Sequence, residues 1–164
     1  MNMLISELQM LATDWRSWFV VALMAAVALH SIVYYFVCPY VHGRASITDE
    51  AVRDAQARTF KPGMRFGAMM VLGIGLTLTG LFMIADGIKP TLALAAMVAG
   101  IVIVQTEPTR STIRENTMRL IANRDAEPIR QEAAQLRLRG SHRELVGKNF
   151  FLLGALIVGM MAFS

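Results

Sequence analysis

A chain of 164 residues with 55% hydrophobic content, 17% charged residues and a mean hydropathy of +0.48 is long enough for one domain but too oily for a soluble globule of that size. Its formal net charge of +4 arises from sixteen basic and twelve acidic residues; the basic ones flank apolar blocks and mix with acidic neighbours, a pattern that suits anionic lipid headgroups and argues against nucleic acid. The single cysteine excludes an internal disulfide.

The residues ahead of the first apolar block carry Glu7 and Asp14 against only Arg16, so the positive start of a cleaved signal peptide is missing and the block 18–37 reads as a membrane span. Three more blocks follow, at 66–85, 90–106 and 145–163. A bilayer core takes roughly 20 apolar residues of helix. The third block is short and reaches that length by including Gln105 and Thr106 while Lys89 snorkels to the surface. Backbone polar groups cannot stay unpaired in lipid, and these runs lack the alternation of barrel strands, so each is predicted to be a helix. The expected fold is all-α, a single membrane domain over 1–164 in which four transmembrane helices form a bundle, with amphipathic helices in the two long loops, 38–65 and 105–149.

Within the first loop a short helix is expected, capped by Thr48 or Ser46, with Ala51, Val52, Ala55 and Thr59 along one side and Pro62-Gly63 ending it. The spans on either side of residues 86–90 are joined by a tight turn. In the second loop Pro108 is placed to kink the third helix, and Ile113, Leu120 and Ile121 prolong its apolar stripe. Asn123-Arg124-Asp125 reads as a turn. Pro128 then opens a segment carrying Ile129, Ala133 and Leu136 that ends at Gly140. Ser141-His142-Arg143-Glu144 has the spacing of a capping box, which predicts that the fourth helix starts at Ser141.

The basic residues also predict orientation. Five lie in 38–65 and nine in 105–149, fourteen of the sixteen in all. Basic residues near span ends are retained in the cytoplasm. Both long loops are therefore expected in the cytoplasm and both termini on the other side of a cell (inner) membrane.

No Ser-His-Asp set, Cys-x-x-Cys, His-x-x-x-His or carboxylate pair within a span is present, which favours a non-catalytic protein. His30 stands out, because an ionisable side chain inside a span is expensive and is expected to face protein. It shares a helical stripe with Tyr34 and Cys38, beside Ser31, and His30 with Tyr34 forms a candidate haem or copper site, against which stands a neutral histidine bonded to a neighbouring helix. Cys38, His42, Met64 and His142 fall near one membrane surface and offer thiolate, imidazole and thioether donors suited to Cu(I), although their spacing is not a metal motif. Gly73, Thr77 and Gly80 on the second helix, Ala96 and Gly100 on the third, and Gly147, Gly154 and Ala155 on the fourth make small faces that let membrane helices approach closely.

Pro39 closing the first helix, the run Glu107-Pro108-Thr109 followed by Ile113, Asn116 and Leu120, and His142 seven residues before Asn149 are similar to the pattern of the copper-resistance D-like and anthrone-oxygenase-like membrane families. The order of four helices, short outer turn and long basic loop resembles theirs as well. That resemblance implies a compact four-helix bundle and, more loosely, copper handling or an oxygenase-associated role. From the residues themselves the leading expectation is an accessory or structural subunit of a membrane complex, or a small oligomer, in contact with anionic lipids and other membrane subunits. A copper- or haem-handling protein and a subunit of a small-solute transporter or channel are the alternatives.

Overall fold

The computed structural model describes residues 2–58 and 62–164. Among the described residues there are six helices and no strand: α1 (Asn2–Thr13), α2 (Trp15–Val37), α3 (Asp49–Arg58), α4 (Pro62–Ala85), α5 (Pro90–Ala122) and α6 (Pro128–Phe163). Four of them, α2, α4, α5 and α6, are long and apolar enough to cross a membrane. Phe19, Phe36, Val71, Phe82, Phe151 and Val158 lie exposed along them, as a lipid solvent permits.

Helix α5 is the organising element. It packs along α4 on one side and α6 on another, α2 lies against α6 and α5, and α3 rests on the far part of α5. Helix α4 touches α5 and α1 but reaches neither α2 nor α6. The α4–α5 contact is built on glycine: a Cβ at Gly80 would stand 2.6 Å from the Ala93 carbonyl oxygen, and one at Gly100 would stand 2.5 Å from that of Gly73. Only hydrogen at those positions lets the two backbones meet, which in lipid is how helices gain dispersion contact.

At the end bearing the short turn, Leu11, Val21, Ile84, Ala93, Leu94 and Met160 form one core cluster. Helix α1 closes this end. Its turn into α2 is set by Asp14, whose carboxylate caps α2 by accepting from the Arg16 amide at 2.9 Å and also accepts from the Thr91 hydroxyl at 2.8 Å. Those two bonds hold its carboxyl below the usual value of 3.8. The chain reverses between α4 and α5 through Gly87, whose φ of +65° suits glycine, and Pro90 opens α5.

At the opposite, basic end a second cluster unites Cys38, Val41, Ile113, Leu120, Leu138 and Leu145. Thr48 caps α3 as expected, its hydroxyl accepting from the Ala51 amide at 3.2 Å, and Ala55 is buried against the bundle. Thr59, expected on the same side, lies outside the described residues. Pro62 opens α4. As the apolar stripe predicts, α5 runs on through Pro108 to Ala122 and a turn follows at 123–127, but the expected end of the next segment at Gly140 is corrected, because α6 is continuous from Pro128 to Phe163. Proline removes one backbone donor, yet the buried face of Thr109, Ile113, Leu120 and Ile121 keeps the helix in phase beyond it.

The capping role of Ser141 is likewise overturned. Ser141 sits in the middle of α6, donates to the Arg137 carbonyl oxygen at 3.0 Å and accepts from the Asn116 amide at 3.1 Å. Buried Leu138 and Leu145, seven residues apart, anchor the same helical face on both sides of it, so packing carries the helix through a sequence that locally reads as a start.

Candidate functional site

Where α2, α5 and α6 converge at the basic end, the side chains become polar. The rings of His30, Tyr34, His142, Tyr35 and His42 form a chain: His30 to Tyr34 is 6.3 Å between centroids, Tyr34 to His142 5.4 Å, His142 to Tyr35 6.4 Å and Tyr35 to His42 5.7 Å. His142 is 1% exposed and its Nε2 has no hydrogen-bond partner. One helical repeat further along α6, Asn149 is also 1% exposed and its Oδ1 is unpartnered. Two buried, unsatisfied polar atoms on one helix face are uncommon, since each forgoes hydrogen bonds it would make in water.

Around this pair several polar groups are paired. Glu107, 2% exposed, accepts from Arg114 seven residues along α5. The Thr109 hydroxyl donates to Glu144 at 3.0 Å and accepts from Lys148 at 2.7 Å, joining α5 to α6. Asn116 bonds Ser141 across the same interface.

A groove of about 260 Å³ opens between the three helices, with Asn149, Tyr34, His30, Arg110 and Arg114 on its walls. His30, expected to face inward, is exposed here; its inward neighbour is Ser31, which is buried and donates to the Ala28 carbonyl oxygen at 2.7 Å. His30 and Tyr34 do come together, as the helical stripe predicts. Cys38 is buried in the basic-end core, His42 is half-buried with Nε2 3.1 Å from the Tyr35 carbonyl oxygen, and the His142 ring also neighbours that of Tyr35. Among the described residues no three His, Cys, Asp or Glu side chains are grouped as a metal ion would require.

The sequence reading passed over Arg110, the Glu107–Arg114 pair and the Asn116–Ser141 bond. The seven-residue interval from Glu107 to Arg114, two helical turns, was the available signal for the pair; nothing local marks Asn116 as the partner of Ser141.

The helix lengths, the exposed apolar surfaces and the paired polar end define a multi-pass helical membrane protein. No protein-family model, curated protein or solved structure matches the chain.

Proposed function

We propose that the protein is a non-catalytic membrane subunit that packs a neighbouring transmembrane helix, from another protein or a second copy, along α6. What carries this reading is the division of its glycines. Gly73, Gly80 and Gly100 are filled by the α4–α5 contact, whereas nothing lies within 4 Å of a Cβ placed at Gly147, Gly154 or Gly159. Gly147 and Gly154 are seven residues apart and so share one exposed face, with Ala155 beside them. Lipid tails fill such a face poorly, while a second backbone can approach it closely. Beside this face an apolar furrow of about 300 Å³, walled by α5, α6, Leu8 and Leu11 of α1 and Met24 of α2, takes in Ala155 and Gly159.

In lipid nanodiscs the wild-type protein is expected to run as a complex heavier than one chain, and the double substitution Gly147→Leu, Gly154→Leu should return it to a single chain of unchanged helicity. A wild-type protein that is monomeric, with no copurifying chain from its native membrane, contradicts the reading.

The same reading places the basic end in the cytoplasm of the inner membrane and both termini on the opposite side, following the basic-residue bias. Cysteines introduced at Ser46 or Gln131 should resist an impermeant thiol reagent in intact cells. Labelling there reverses the orientation.

A further inference from the structure

We propose that the groove between α2, α5 and α6 at the basic end is a binding site for the phosphodiester headgroup of an anionic phospholipid. Three observations converge on it. Arg110 is half-buried on its wall, and among the described residues its side chain makes neither an ion pair nor a hydrogen bond. Its neighbour Arg114 is already neutralised by Glu107, and Glu144 by Lys148, so the unpaired positive charge of the groove is that of Arg110. Asn149, 1% exposed, lines the same groove with an unpartnered Oδ1, an acceptor that a hydroxyl of a glycerol headgroup, rather than its phosphate, would satisfy.

The shape fits a lipid better than a free ion. The groove is walled by Val27, Ile113 and Leu145 as well as by its polar groups, so a ligand must carry apolar surface next to its charge. Arg110 follows the third apolar block by four residues, and Leu145 opens the fourth, which puts the groove at the level where headgroup meets hydrocarbon. Tyr34, 49% exposed at the rim with His30 stacked beside it, supplies a hydroxyl at that level, as interfacial tyrosines do. Basic pockets between membrane helices on the cytoplasmic side are suited to anionic headgroups. Asn149 and Gly147 lie on different faces of α6, so this site is separate from the helix-packing face and stands or falls independently of it.

The test is native mass spectrometry of the full chain released from nanodiscs of equal phosphatidylglycerol and phosphatidylcholine. Wild type should retain one phosphatidylglycerol in preference, and Arg110→Gln should reduce that preference about fivefold, the effect of one basic residue on an anionic lipid. Arg110→Lys should keep most of it, and Arg119→Gln, an exposed arginine paired to Glu115 outside the groove, should leave it unchanged. Circular dichroism on each variant confirms the fold, and the Lys variant gives the answer if the Gln variant fails to assemble. Equal retention of both lipids by wild type, or equal loss in the Arg110 and Arg119 variants, overturns the site. Displacement of the retained lipid by millimolar inorganic phosphate assigns the groove to free phosphate and overturns the lipid assignment.

Discussion

Among the described glycines, Gly100→Ala is expected to be the most damaging methyl addition. The new Cβ would lie 2.4 Å from Thr77 Oγ1, 2.5 Å from Thr77 N and 2.5 Å from the Gly73 carbonyl oxygen, where ordinary contact begins near 3.4 Å. Backbone atoms cannot rotate away, so α4 and α5 must part by about 0.9 Å, a gap that forfeits a quarter to a half of each dispersion contact across it. Among the described residues, the backbone of α4 packs against α5 and, less extensively, α1, so little other interface absorbs the loss. Overpacking costs about 1–3 kcal/mol, and this geometry belongs at the upper end. Gly75→Ala is the control: it lies on α4 with nothing within 4 Å, and it gains the same helix propensity, so the difference between the two isolates packing. Equilibrium unfolding in mixed micelles, followed by helicity, should place Gly100→Ala at least about 2 kcal/mol below Gly75→Ala. Equal stability of the two would refute the close-packed α4–α5 interface.

Arg114→Leu should destabilise the bundle by about 3 kcal/mol, because it leaves the buried Glu107 carboxylate without its partner, and adding Glu107→Leu should recover much of that loss in the same assay. Ser141→Ala and Asn116→Ala should each cost about 1 kcal/mol, and a double-mutant cycle should find them strongly non-additive, as one shared hydrogen bond requires. The Asp14 carboxyl titrates lower in the folded protein than its ordinary 3.8, so its stabilising contribution is full above that value and is lost as pH falls through the lower folded one. Unfolding measured across that acid range should therefore show a slope that Asp14→Asn removes.

Much of the architecture is legible in the sequence, because a bilayer imposes one simple rule: long apolar runs must be helices. The four spans, the Thr48 cap, the turn at 123–125 and the opening of α6 by Pro128 all follow from residues within a few positions of one another. What local reading missed was decided at longer range. Ser141-x-x-Glu144 has the form of a helix start, but the residues that settle the matter are Leu138 and Leu145 packing against Cys38, Val41 and Ile113, which are remote in sequence. Helix α1 had a fainter signal, Leu8, Leu11 and Ala12 at helical spacing, too short a stripe to stand out beside four membrane spans. At the candidate site, the His30–Tyr34 stripe is a property of one helix and was readable; the groove beside it depends on Arg110 and Asn149 arriving from two other helices, and no spacing within the chain announces that meeting.

The proposal that α6 carries a partner is tested most directly by placing a photo-crosslinking amino acid at Gly154 in the native membrane, with the same group at exposed Phe19 on α2 as reference. Irradiation should give a discrete protein adduct from position 154, at the mass of a dimer or of one other membrane protein, and only lipid adducts from position 19. Lipid adducts alone from both positions would contradict it.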